Sequence, residues 1–393
     1  MTDSLERAAA TRREIEAERD QAAAERGRVA AERDRIAAER GRVEAELGAI
    51  RERYYYALAR LPGGARPTDA ELIHTLQAAG VPVTAADRVT LHVGFAHSAT
   101  TSLQADFFPA RDDLYYPGLP YAEAGGFFSY LKYTEDHILD PDLMLRLCRD
   151  CVYGAPGRRD RPVVVSDETL TEPAEVYYHA HVLPGPQVAA RLKRYFPTAR
   201  VGFTTRRQPD YVASMYFNIK RNHAFLAGMP VPPFDEWWHG TMRTQARGPY
   251  LLNLDYAPLV RVYAELFGRE NVLVLPLEEL TSRGPRAYLG RLCDFLGVPL
   301  RDADLDRFQR PRNGRMSVVE ALAAELLAAR HHAAPVREAL SNEALAGLAG
   351  QAAPTRLDLS SEVAAEIHSL TAPGNRWLAE TFGLPLGEWG YPV

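Results

Sequence analysis

The stretch LHVGFAHSATTSLQ, residues 91–104, sets the reading of this chain. An apolar run ends at Gly94, small and hydroxyl-bearing residues follow, and a helix is predicted to open at Thr100–Thr101. A strand, a short loop and a helix N-terminus make an anion-binding arrangement, because loop and first-turn N–H groups point outward and the helix dipole favours negative charge. Gly94, Ser98, Ala99, Thr100, Thr101 and Ser102 are therefore the candidate anion ligands, the hydroxyls adding donors to the backbone. Against the nucleotide-triphosphate pattern G-x-x-x-x-G-K-[ST], Gly94 fits, but Ala99 replaces the second glycine and no lysine precedes the threonine. That disfavours an ATPase, a GTPase or a nucleotide kinase.

Working outward, strand-like and helix-like runs alternate. VTLHVGF, RPVVVSDE, ARVGFTTR and NVLVLPLEEL read as strands, with TTSLQADFF, QVAARLKRYF, DYVASMYFNIKR, YAPLVRVYAELFG and RAYLGRLCDFLGV as helices. Near-continuous β-branched runs separated by amphipathic helices predict an α/β domain with a central parallel sheet covered on both faces. The expected organisation is a charged helix over 1–60, a linker and short helix over 61–86, the α/β domain over 87–317 and a helical extension over 318–393.

The first sixty residues stand apart. AAERGRV, AAERDRI and AAERGRV repeat with a period of seven, placing Ile15, Ala22, Val29, Ile36, Val43 and Ile50 in register. Ala, Glu and Arg favour helix, and Arg28 with Glu32 or Arg35 with Glu39 add pairs four residues apart. One track of a coiled-coil seam is charged, and Gly27 and Gly41 each cost roughly 1 kcal/mol. Two readings stand: a solvated helix, or a weak self-association arm that makes a homo-oligomer.

Bulk properties set outer bounds. A formal net charge of −5 argues against general affinity for nucleic acid. No apolar run reaches the roughly 18 residues of a membrane span, and the charged N-terminus lacks the apolar core of a signal peptide. Three cysteines, Cys148, Cys151 and Cys293, are odd in number and suit a reducing cytoplasm. No His/Cys/Asp set has the spacing of a metal site.

LHVGFAHSATTSLQ resembles the 5′-phosphosulfate loop of bacterial sulfotransferases, H-I-G-x-P-K-T-G-T-T-S-L-Q. TTRRQPDYVASMYFNIKR (204–221) resembles that family's 3′-phosphate motif, with Arg206 followed eight residues later by Ser214. A guanidinium suits bidentate binding of phosphate, and a helical serine adds a donor. RPRNGRMS (310–317) is similar to the late segment that closes over the 3′-phosphate, through Arg312 and Gly314. Residues 256–299 look like the family's helix–strand–helix scaffold, with Glu278–Glu279 where an acidic pair commonly stands. The resemblance spans about 88–317 and implies a P-loop-like sulfotransferase fold that uses 3′-phosphoadenosine 5′-phosphosulfate (PAPS) as co-substrate and no metal.

It also implies roles. The family's loop lysine corresponds to His97, which is expected to act as a donor and partial cation in its place. Glu168, in VVVSDETLTEP at the end of a strand, corresponds to the family's S-S-E glutamate and is the expected base. His137, His179 and His181 are lesser base candidates. The aromatic-rich segments 112–133 and 215–240 are the expected acceptor walls, for a carbohydrate or secondary-metabolite hydroxyl or amine. The competing reading is a catalytically weak nucleotide-binding scaffold acting through its N-terminal helix.

Overall fold

The computed structural model describes residues 67–393 apart from 96, 119–124, 159, 172–184, 223–230, 245–253 and 309–356, together with the single residues 25, 28, 31 and 35. The chain divides into two units, Met1–Tyr54 and Tyr55–Val393. In the first, Glu25, Arg28, Ala31 and Arg35 are helical and exposed. The self-association arm otherwise lies outside the described residues.

In the second unit, α1 (Asp69–Ala78) opens with a capping box in which Thr68 and Glu71 satisfy each other's backbone N–H groups. Then come β1 (Val89–His92) and α2, which begins at Thr100–Ser102 and continues through a wider turn over Leu103–Phe107. Next are α3 (Gly125–Tyr133), α4 (Pro141–Cys148), β2 (Val163–Ser166), α5 (Gly185–Tyr195) and β3 (Arg200–Thr205). The order continues with α6 (Gln208–Asn222), α7 (Phe234–Thr244), α8 (Ala257–Phe267), β4 (Val272–Pro276), α9 (Leu277–Leu296), α10 (Asp302–Phe308) and α11 (Ser361–Phe382). The run NVLVLPLEEL splits, because Pro276 ends the ladder and Leu277 starts α9.

The four strands are all parallel, in the order β2-β1-β3-β4. Period-2 alternation sends neighbouring residues to opposite faces. Val89, Leu91, Val163, Val165, Val201, Phe203, Val272 and Val274 face one core, packed with α3, α5 and α8. Val164, Leu273 and Leu275 face the other, against Leu103 and Phe107 of α2 and Tyr288, Leu289 and Leu292 of α9. Burial on both faces is what the continuous apolar runs require.

The main core reaches beyond 87–317. It takes in Leu76, Val81 and Val83 on one side and Leu378, Leu384, Leu386, Trp389 and Tyr391 on the other. A third cluster joins Tyr211, Met215 and Tyr216 of α6, Phe234, Trp237 and Trp238 of α7, and Val363 and Ile367 of α11. The sequence direction of crossing reverses between β1 and β3, since β2 lies beyond β1 and β4 beyond β3. Open α/β sheets bind ligands at the C-terminal edge of such a switch point.

Candidate active site

The 91–104 stretch lies at that edge. The chain leaves β1 through Gly94 at φ 28°, where a Cβ would fall 2.7 Å from Thr204 Oγ1 and 2.8 Å from Thr100 Cγ2. Only glycine allows this close approach of the loop to β3 and to its own helix. His97 and Ala99 are also left-handed, at φ 62° and 68°, a conformation costing roughly 1–2 kcal/mol without glycine. The Ser98 side chain, fully buried, is turned inward: its hydroxyl lies 2.9 Å from Thr204 Oγ1 and 3.1 Å from the Thr204 carbonyl. Ser98 thus pegs the loop to β3, and only its backbone remains for an anion. Thr100 is buried, while Thr101 and Ser102 are half-buried on the first turn of α2.

Arg206 follows the last residue of β3 and meets the same loop. Its Nη1 donates to the His97 carbonyl at 3.0 Å, and its own carbonyl accepts from Tyr256 Oη at 2.6 Å. Tyr211, in the first turn of α6, sets its ring edge-on to His97 with centroids 6.0 Å apart. Ser214 is three residues further along α6, hence on the face that Tyr211 presents, and is half-buried. Loop, Arg206 and Ser214 are therefore brought to one end of the sheet.

His97 is half-buried as a residue, but its Nε2 is enclosed and has no hydrogen-bond partner among the described residues. Enclosure, followed by the positive charge of Arg206, lowers its pKa to about 4. The expected partial cation is thus a neutral imidazole at pH 7. Burial disfavours charge at that nitrogen, and a guanidinium beside it disfavours charge further.

Glu168 sits just past β2 and is half-buried. Gln104 Nε2 donates to its Oε2 at 2.6 Å and lies 3.1 Å from Ser166 Oγ, which in turn is 2.7 Å from His92 Nδ1. Burial raises the Glu168 pKa above the ordinary carboxylate value, the Gln104 hydrogen bond opposing it and Asp167 adding to it. Thr171 Oγ1 donates to the Gly94 carbonyl at 2.5 Å, tying this segment to the anion loop. Lys132, 2% exposed, forms an ion pair with Asp167 at 3.7 Å. Burial, then Glu168 and Asp167, push the Tyr116 hydroxyl's pKa up, and its oxygen has no hydrogen-bond partner among the described residues. Sequence reading passed over Gln104, Lys132 and Tyr116; a lone lysine in the aromatic-rich run FFSYLKY was the available signal for the second.

Other expectations fare differently. His137 is exposed and pairs with Glu135 at 3.2 Å, away from this network. His179, His181, Arg312 and Gly314 lie outside the described residues. Among the described aromatics of the expected acceptor walls, Phe127, Phe128, Trp237 and Trp238 are buried, and Trp238 Nε1 donates to Glu366 at 2.8 Å. Aromatic content marks both cores and binding walls, and here α11 covers the rings of α7. The three cysteines carry free thiols, Cys148 and Cys293 buried and Cys151 half-buried. Among the described residues no His/Cys/Asp/Glu group could hold a metal ion, and no helix is long and apolar enough to cross a membrane.

Fold and site together define a parallel α/β domain with the Gly94–Ser102 loop and Arg206 at the switch point. Among the solved structures this chain resembles are three sulfotransferases or sulfotransferase domains. A sulfotransferase from Alicyclobacillus acidocaldarius aligns at 20% identity over 77% of this chain and 99% of its own, with a TM-score of 0.44. The sulfotransferase domain of the curacin biosynthetic pathway aligns at 16% identity over 72% and 96%, with a TM-score of 0.35. That of the Synechococcus PCC 7002 olefin synthase aligns at 14% identity over 57% and 78%, with a TM-score of 0.29. No protein-family model matches the chain, and no curated protein does.

Proposed function

We propose that this chain is a PAPS-dependent sulfotransferase that moves the sulfuryl group to a hydroxyl, or an amine, of a carbohydrate or secondary-metabolite acceptor. The observation that carries the proposal is the hydrogen bond from Arg206 Nη1 to the His97 carbonyl. It brings the 94–102 loop and Arg206 side by side, which supports reading them as the holders of one 5′ and one 3′ phosphate group of a single nucleotide. The 5′-phosphosulfate lies on the N–H groups and hydroxyls of Thr100, Thr101 and Ser102, with Gly94 and Ala99 shaping the loop. The 3′-phosphate lies on Arg206 and Ser214, joined by Arg312 and Gly314 from the sequence resemblance.

In this reading the acceptor oxygen attacks sulfur in line as the bond from sulfur to the 5′-phosphate oxygen breaks. Glu168 takes the acceptor's proton, and 3′-phosphoadenosine 5′-phosphate departs. The raised pKa of Glu168 suits a base, because it makes the carboxylate a better proton acceptor. Gln104 fixes the carboxylate, and Lys132 with Asp167 sets the charge beside it. His97 contributes a neutral ring nitrogen to the sulfonate oxygens in place of a lysine charge. A cytoplasmic location suits three free thiols.

The test is calorimetric titration with 3′-phosphoadenosine 5′-phosphate, ATP and GTP. Micromolar binding that strongly prefers the 3′-phosphorylated nucleotide supports the proposal, and absence of binding refutes it. The neutral His97 also favours a second reading, a nucleotide-binding scaffold of low activity acting through its N-terminal helix. Tight nucleotide binding with no conversion of PAPS across an acceptor screen, restored by His97→Lys, would select that reading.

A further inference from the structure

The last residues of the chain converge on the turn that carries Arg206. Tyr391 is buried and its hydroxyl lies 2.7 Å from Glu278 Oε2 and 3.3 Å from Thr205 Oγ1. The other oxygen of Glu278 accepts the backbone N–H of Arg207 at 3.0 Å. One carboxylate and one phenol thus hold the residues on either side of Arg206. One residue further, Gln208 and Asn375 of α11 form a reciprocal amide pair at 2.9 and 3.0 Å, both buried. Asn375 Nδ2 also donates to the Pro392 carbonyl at 2.7 Å, so α11 and the tail are fastened to each other as well as to the turn. At Gly390, φ 77°, a Cβ would come within 3.0 Å of Arg207 Nη1, so the tail runs close beside the Arg207 side chain.

We infer that the C-terminal tail is part of the nucleotide site, with Tyr391 and Asn375 as positioning residues that fix the Arg206 turn through Glu278, Thr205 and Gln208. The inference rests on the reading of Arg206 as the 3′-phosphate ligand. A tail serving only to cover the core would need apolar contacts, which Leu384, Leu386 and Trp389 already provide. Polar attachments to Thr205, Arg207 and Gln208 serve another end: they remove the backbone freedom that would let the guanidinium drift from the loop. A binding group held in place loses less entropy when its ligand arrives.

The experiment measures nucleotide affinity in full-length Tyr391→Phe, Arg206→Ala and the double variant. Tyr391→Phe should bind 3′-phosphoadenosine 5′-phosphate about tenfold more weakly, the scale of one hydrogen bond to a charged group. Its affinity for adenosine 5′-phosphosulfate, which lacks the 3′-phosphate, should stay within about twofold of wild type. In the Arg206→Ala background the tyrosine change should have almost no further effect, because the group it positions is gone. Unchanged affinity for the 3′-phosphorylated nucleotide, equal losses for both nucleotides, or full additivity with Arg206→Ala would overturn the inference. Wild-type protein that fails to bind 3′-phosphoadenosine 5′-phosphate would instead refute the sulfotransferase reading, and this inference with it.

Should Tyr391→Phe not fold, wild-type protein supplies a second measurement. Coupling between the tail and the site is reciprocal, so 3′-phosphoadenosine 5′-phosphate should slow amide hydrogen exchange in residues 384–393, while adenosine 5′-phosphosulfate should not. Identical exchange with both nucleotides overturns the inference.

Discussion

Acidification should draw stability from two buried imidazoles, His92 at the end of β1 and His97 in the loop that follows. Burial lowers the pKa of His92 from 6.5 to about 4, and burial with Arg206 does the same to His97. Between those values the unfolded chain binds more protons than the folded one, so stability is full above about pH 6.5 and is lost as the pH falls through about 4. For one such group the linkage integral gives a loss of about 1.3 kcal/mol between about pH 7.5 and about pH 5.5. Complete protonation withdraws about 3 kcal/mol per group. Glu168 works in the opposite sense, because its raised pKa makes the folded form bind its proton more tightly. The wild-type profile therefore mixes both signs, and the His97 contribution must be isolated by difference.

Denaturant unfolding of wild type and His97→Asn at the two pH values does this. The variant's packing defect is independent of pH, so the stability difference between the two proteins should shift by about 1.3 kcal/mol in the variant's favour at the lower pH. An NMR titration of the His97 ring should give a midpoint near 4 that moves upward in Arg206→Ala, where one of its two causes is removed. A stability difference that stays flat with pH, or a His97 midpoint near the ordinary 6.5, would refute the assignment of a neutral, enclosed imidazole to this loop.

Three further outcomes are expected. Arg206→Ala should weaken 3′-phosphoadenosine 5′-phosphate by about 10- to 150-fold, the range of a charge-assisted contact worth about 1.5–3 kcal/mol, as calorimetry would read. Glu168→Gln should reduce PAPS turnover by about 100-fold or more with nucleotide affinity retained, and should abolish an acid limb that lies above the ordinary carboxylate range in the pH–rate profile. Gly94→Ala should abolish nucleotide binding while the chain still folds, since the new methyl is 2.7 Å from Thr204 Oγ1 and must push the loop away; circular dichroism and calorimetry together check this.

The sequence carried the fold a long way for a physical reason. Parallel strands buried on both faces leave continuous apolar runs, and VTLH, VVVS and RVGFTT are visible without any knowledge of their partners. The shape of the loop was equally legible, because a tight glycine after a strand and a helix start at Thr100 are local features. Composition could not say on which side an aromatic ring is buried. Trp237 and Trp238 therefore read as binding walls until α11 was seen to cover them.

What only the tertiary structure decided are the contacts between residues far apart in the chain. Gln104 with Glu168, Arg206 with His97 and Tyr391 with Glu278 are 64, 109 and 113 positions apart. The charge state of His97 belongs to this group as well, since it depends on enclosure and on a guanidinium from another strand. Local pattern records what each residue does to its own backbone. Pairing across the sheet edge depends on the order in which the strands assemble, and in this chain the order β2-β1-β3-β4 brings the loop, Arg206 and, through Glu278, the C-terminus to one place.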